Sequence, residues 1–215
     1  MRILSYFCVF FTLLAGCKQT QNIEKQTVKS LTPAEQIAKT HGFDVWKDVK
    51  QVSFTFNGKR HWVWKPQTND ITYSEDSTTV SYNRNNMDST LMKIDRGFIN
   101  DKFWLLIPFQ MVWDEGLSIS EPTRETAPIS EEQMNKITLT YSNEGGYTPG
   151  DAYDIFYDEN FIIREWIFRK GNQTEPSLTT TFEKYEDFHG IKIALEHKNK
   201  KGSWNLTFSD VAISK

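Results

Sequence analysis

Cysteine is nearly missing from this chain of 215 residues: there are two, Cys8 and Cys17. Nothing after Cys17 can form a disulfide or do thiol chemistry, so whatever folds there is held by its core alone. Beyond the first residues no run approaches the ~18 uninterrupted apolar positions of a membrane span. Positive charge is not in excess either. Lys and Arg number 25 against 28 Asp and Glu, scattered along the chain, for a net charge of −3. Nucleic-acid binding demands a basic face, so no nucleic-acid partner is expected. The familiar catalytic signatures are missing: there is no G-x-S-x-G, no H-E-x-x-H, no P-loop and no Gly-rich dinucleotide turn. The four histidines, His41, His61, His189 and His197, are far apart and form no paired ligand motif. The expected catalytic set is therefore empty, with no metal site and no cofactor.

What is present begins at the first residues. Arg2 precedes a short apolar run, Ile3 to Leu14, followed by Leu14-Ala15-Gly16-Cys17. A charged start, an apolar stretch too short to span a bilayer and small residues at a cut are the layout of a secretory signal. A cut placed before cysteine resembles the lipobox of bacterial lipoproteins. That resemblance implies that Cys17 becomes the first mature residue and carries acyl chains. At ~0.8 kcal/mol per buried CH2, one chain holds a protein marginally, and two or three hold it firmly. The alternative is an ordinary signal peptide that happens to contain a cysteine. Removal of residues 1–16 would leave 199 residues with a net charge of −4, enough for one domain with a substantial core. Residues 17–31 are polar and aperiodic and read as a flexible tether, which leaves 32–215 as a single domain. No run of acidic residues follows Cys17, which favours an outer-membrane location facing the periplasm over surface display.

The domain opens on a helix signal. Thr32 and Glu35 have the spacing of a capping box, and Pro33 suits the first helical position. Ala34, Ile37, Ala38 and His41 mark one face, and Gly42 breaks the helix before Val45, Trp46 and Val49. From Val52 the period changes to two. Strands are expected at Val52–Phe56, Trp62–Trp64, Ile71–Ser74, Thr79–Tyr82, Ile137–Tyr141, Ala152–Tyr157, Phe161–Arg169, Leu178–Tyr185, Ile191–His197 and Trp204–Ser209. Phe98–Trp113 is dense, apolar and helical up to Pro108, with Asn100 as N-cap, and 118–135 reads as a long loop. The pattern is an antiparallel meander with a leading helix and a helical insertion, an α+β fold.

Hairpin arithmetic assigns faces. If Asn57-Gly58 is a two-residue turn, Phe56 faces Lys59 and Ser53 faces Trp62. Phe54 and Phe56 then lie on one face of the sheet, with Trp62 and Trp64 on the other. The Asp158-Glu159-Asn160 turn similarly sets Ile155 and Ile163 against Phe156, Ile162 and Trp166, with Asp154 opposite Arg164. Both faces would be apolar over part of their length, whereas an antiparallel sheet usually has one wet face. A one-residue change of register reverses the inference. Two readings follow: two packed covers, or one cover and an apolar cavity. The cavity candidates are Phe54, Phe56, Trp62, Trp64, Trp104, Phe109, Trp113 and Trp166, since tryptophans need partners for their N–H groups when buried.

The order of lipobox, tether, helix, meander, helical plug and meander resembles the LolA/LolB-like superfamily of lipoprotein carriers. Gly97-Phe98-Ile99-Asn100-Asp101-Lys102-Phe103-Trp104-Leu105-Leu106-Ile107-Pro108-Phe109, then Trp113-Asp114-Glu115-Gly116, together with Trp62-Val63-Trp64, is similar to a group of uncharacterised Bacteroidetes-type lipoproteins. The resemblance implies a curved antiparallel half-barrel, open along one side and plugged by helices, that binds a lipid, acyl chain or other hydrophobic small molecule. The expected function is thus non-catalytic binding by an envelope protein, with membrane attachment through Cys17. Two alternatives stand beside it. One is a structural lipoprotein with a protein partner, and the other an envelope hydrolase using Asp101, Asp114 or Glu115. For those carboxylates, a helix first turn (Asp101) and a turn after the apolar run (Asp114, Glu115) are the simpler roles.

Overall fold

The computed structural model describes residues 30–144 and 148–215. The expected signal peptide, Cys17 and nearly all of the tether lie outside the described residues. The first element, α1 (Pro33–Thr40), starts as its sequence predicts. Thr32 Oγ1 accepts from the Glu35 amide at 3.2 Å, and Glu35 Oε2 accepts from the Thr32 amide at 2.6 Å. Its apolar side, Ala34, Ile37 and Ala38, is buried. Gly42 stops it at φ 97°, and a 3-10 turn, Phe43–Asp48, continues the chain. Only glycine fits there, because a Cβ on Gly42 would lie 1.9 Å from the Gly190 carbonyl oxygen.

The strands are β1 (Gln51–Phe56), β2 (Arg60–Lys65), β3 (Asp70–Glu75) and β4 (Thr78–Asn83). After α2 (Met92–Trp113) come β5 (Leu117–Ile119), β6 (Thr123–Thr126), β7 (Gln133–Tyr141), β8 (Ala152–Tyr157) and β9 (Ile163–Arg169). The chain ends with β10 (Leu178–Thr181), β11 (Glu183–Phe188), β12 (Ile191–Lys198) and β13 (Asn205–Ser214). They form a seven-stranded antiparallel sheet, β11-β12-β13-β1-β2-β3-β4, and a six-stranded one, β10-β9-β8-β7-β5, in which β6 also pairs β7. The fold is α+β, and the sheets do not close into a barrel. No described helix is long and apolar enough to cross a membrane.

Register overturns the two-faced reading of the β1–β2 hairpin, while in the six-stranded sheet Phe156, Met134 and Ile167 do form a small apolar cluster on the face opposite Ile155 and Trp166. Phe54 pairs Trp62, Val52 pairs Trp64 and Phe56 pairs Arg60, so all four predicted aromatics of this hairpin share one face. The turn carries three residues. Asn57 (φ 52°) and Gly58 (φ 64°) are left-handed, and Lys59 donates to the Phe56 carbonyl but stands outside the ladder. That one extra residue moves Trp62 and Trp64 across the sheet. The second hairpin is also shifted. Ile155 pairs Trp166, Phe156 pairs Glu165 and Tyr157 pairs Ile163, with Arg164 bulged out. Trp166 therefore lies with Ile155 and Ile163, and Phe156 lies on the opposite face. Asp154 is paired to Arg169 at 3.0 Å, not to Arg164, which binds Asp158.

Other expectations are corrected as well. The stretch 118–135 is not a single loop but holds β6 and the ends of β5 and β7. The expected strand Leu178–Tyr185 divides at Phe182 between the two sheets. Asn100 caps nothing: α2 begins two turns earlier, behind a 3-10 turn (Ser89–Leu91) that Asp88 caps. Nor does the helix end at Pro108. Proline has no N–H and its ring crowds the carbonyl four residues back, which bends α2 at Leu106 (φ −125°, ψ 28°) without ending it.

The core forms around α2. Phe98, Leu105, Leu106 and Phe109 pack on the apolar face of the seven-stranded sheet. Phe103, Ile107 and Met111 pack on the six-stranded sheet together with Ala34 and Ile37 of α1. Replacing Gly42 by alanine should cost about 2–4 kcal/mol, since the clash with Gly190 adds to the strain of a positive φ. A lowered urea midpoint at unchanged slope is the expected readout.

Candidate functional site

Two buried carboxylates fix α2 in place. Asp101 is fully buried and accepts from Arg60 Nε and Nη2, both at 2.7 Å, from Trp62 Nε1 at 2.8 Å and from Asn100 Nδ2 at 3.0 Å. Asp95 accepts from Arg84 Nε at 2.8 Å and from the Tyr82 hydroxyl at 3.1 Å. Asp101 is thus mid-helix rather than in a first turn, and its oxygens are already engaged. Swinging the helix outward would strand a desolvated charge, which costs several kcal/mol. The helix is a fixed wall.

The eight aromatics chosen from the sequence divide into four groups. Phe54 and Phe56 pack edge-on against Phe208, at 5.9 and 5.5 Å. Trp62 and Trp64 close over Phe98, each at 5.5 Å. Phe109 and Trp113 meet around Trp46, at 5.4 and 5.3 Å. The structure brings Trp104 and Trp166 together, with ring centroids 4.4 Å apart.

That last pair borders a cleft of about 370 Å3 between α2 and the six-stranded sheet. Phe103 and Trp104 form one wall; Tyr153, Trp166, Phe168 and Leu178 form the other; Asn100, Thr148 and Asp151 supply a polar margin. Tyr153 stacks on Phe168 at 5.1 Å, its cross-strand partner, and lies 5.1 Å from Trp166. The Trp166 indole N–H is buried and finds no hydrogen-bond partner among the described residues. A second, wider cleft of about 600 Å3 has Trp62, Tyr73 and Ile94 for its apolar surface and Arg60, Lys93 and Arg96 for its cations. Sequence reasoning missed Tyr153 and Phe168. Their facing positions are visible only once the bulge at Arg164 sets the register.

His197 is packed beside the first cleft. Its ring is 5.2 Å from Trp104 and 4.4 Å from Phe182. Nδ1 must carry the proton, because its partner at 3.0 Å is the Thr181 carbonyl oxygen. Burial pushes the imidazole down to about 4, against the help of that hydrogen bond. His41 is held similarly, with Nδ1 on the Ile37 carbonyl at 2.8 Å, and burial lowers it to about 4. Both rings are neutral at pH 7. Among the described residues no three His, Cys, Asp or Glu side chains converge as a metal site requires. Of the other acidic candidates, Asp114 accepts from the Tyr141 hydroxyl at 2.8 Å and its carboxyl is pushed up by burial, while Glu115 is exposed.

Comparison with known proteins adds little. No family model matches the chain, and no curated protein matches it. Among solved structures, a DUF1329 family protein from Desulfovibrio piger ATCC 29098 is similar over 85% of this chain and 93% of that one, at 9% identity and a TM-score of 0.39. A likeness this distant carries no functional argument.

The buried histidines give a pH dependence with a definite sign. Their folded pKa values lie below the unfolded value of about 6.5, so the unfolded chain binds more protons between pH 6.5 and 4. Stability should therefore fall as pH drops through that window, by about 3 kcal/mol for each ring when fully expressed. Glu196 acts in a lower window: Lys198, with help from Lys184 and Asn205, holds it near 2, so its contribution is lost below pH 4.5. Urea unfolding at pH 7, 6 and 5 should show the first effect, and His197→Gln should reduce the slope by about one proton. Equal stability at pH 7 and 5 would contradict it.

Proposed function

We propose that this protein is a lipid-anchored envelope protein that binds an apolar small molecule or acyl segment without catalysis, and that the aromatic cleft between α2 and β8–β9 is its site. The single observation that carries the reading is the lining of that cleft, six apolar side chains with a polar margin at one edge. Ligand sites of about 300–1,000 Å3, mostly apolar with a few placed polar groups, are the common kind, and a cleft of about 370 Å3 falls at the small end. The site is narrower than the sequence reading expected, because Trp62 and Trp64 share a face with Phe54 and Phe56 and α2 packs on that face. Of the eight expected contacts, Trp104 and Trp166 remain ligand contacts, and the others serve the core or the wider cleft.

Attachment through acylated Cys17, and residence in the outer membrane facing the periplasm, belong to the same proposal and rest on the lipobox resemblance. An open antiparallel sheet wrapped on a helix agrees with the LolA/LolB-like architecture which that reading implies. The carrier is then tethered rather than shuttling.

Native mass spectrometry of protein extracted from membranes should show a co-purifying hydrophobic molecule, and 1-anilinonaphthalene-8-sulfonate should brighten in its presence. Trp104→Ala, which removes one wall of the cleft, should weaken dye binding about tenfold, the equivalent of ~1.4 kcal/mol. Protein that carries nothing and leaves the dye dark would sink the reading.

A further inference from the structure

Gly97 lies inside α2, and nothing in the helix asks for it. Its backbone is helical, without the positive φ that calls for glycine. Nor does space demand it. A Cβ there would meet the Trp62 ring at 3.7 and 3.9 Å, ordinary van der Waals contact, and nothing closer. Alanine would fit and would favour the helix, in whose interior glycine is among the least favourable residues. The packing thus gives no reason for bare backbone at this position. The cleft beside it does.

Gly97 lines the wider cleft, of about 600 Å3, between the first half of α2 and strands β2 and β3. Trp62 and Tyr73, cross-strand partners with ring centroids 4.7 Å apart, back it. Trp62 is fully buried, so the apolar surface on offer is the edge of Tyr73, Ile94 and the uncovered Gly97 backbone. The rest of the lining is mostly cationic. Arg60, Lys93 and Arg96 stand against a single lining carboxylate, Glu75, which accepts from the Tyr73 hydroxyl. Arg60 is bound to the buried Asp101 through Nε and Nη2, which leaves Nη1 for another acceptor. Lys93 and Arg96 are exposed, and neither has an ion-pair partner among the described residues. Unpaired surface cations are common singly. Here they border one cleft in a chain whose net charge is −3, and a guanidinium fork matches the geometry of a carboxylate.

We propose that this cleft binds a small organic anion with a flat apolar body. Its carboxylate meets Arg96, Lys93 and the remaining Arg60 nitrogen. Its body lies on Tyr73, Ile94 and the Gly97 backbone, in the space that a side chain at that position would take. The glycine keeps this space open and leaves the helix less stable than it could be, a conflict common where binding and stability compete. Asn100 borders both this cleft and the aromatic one. The two take different classes of ligand, and either can fail without the other.

Calorimetric titration of the purified full-length protein with 2-naphthoate, and with 2-naphthamide as its uncharged equivalent of the same shape, tests this. Naphthoate should bind at least about tenfold tighter, and the difference should narrow as salt is raised. Acetate, which has the charge without the body, should not compete at equal concentration. Arg96→Gln, at an exposed position where folding is unaffected, should bring naphthoate close to the affinity of naphthamide. Gly97→Ala should raise the urea midpoint while weakening both probes, so that stability and binding move in opposite directions. Naphthoate that does not bind, or binds no tighter than naphthamide, overturns the proposal on the unmutated protein. So does naphthoate binding that Arg96→Gln and Gly97→Ala leave unchanged.

Discussion

The contact on which the fold depends is the one between Asp101 and the β2 side chains Arg60 and Trp62. A fully buried carboxylate is tolerable only when its lone pairs are occupied, and here four donor groups occupy them. Those bonds set the rotation of α2 about its axis. With the rotation fixed, Phe98, Leu105 and Phe109 must meet one sheet and Phe103, Ile107 and Met111 the other. One helix thus serves as the core of two sheets, and both its halves, before and after the bend at Leu106, touch each of them.

Much of this was legible in the sequence, at the level of elements. The Thr32–Glu35 capping box, the stop at Gly42 and the alternation of β12 and β13 each rest on local chemistry that a few residues declare. Faces were not legible, because they depend on counting across turns. Lys59 and Arg164 each add one residue to a hairpin, and nothing about either side chain announces it. The extent of α2 was also hidden: its first turns, Met92–Gly97, mix Met92 and Ile94 with three charged residues and a glycine, and Asp95 is held there by Arg84 and Tyr82.

The same distinction governs the candidate sites. Tryptophan abundance pointed to aromatic clusters, and the predicted aromatics do gather in four groups. Abundance could not say which cluster leaves space beside it. That is decided by partners distant in sequence, Trp104 on the helix and Trp166 on β9, and by the Tyr153–Phe168 pair that backs them. Lys102 shows a related limit. In the sequence it is one more cation; in the fold its ammonium lies over indoles from β2 and from the end of α2.

The order of strands in the larger sheet has a bearing on how the chain is made. Its central pair is β13 with β1, so Gln51 meets Ser214 across more than a hundred and sixty intervening positions. The middle of the sheet stays open until β13 arrives. Until then, the greasy side of β1 and β2 has no neighbour on one flank, and pairing this non-local is slow to nucleate. An emerging chain of this design must be kept from sticking to others while β1 waits for β13.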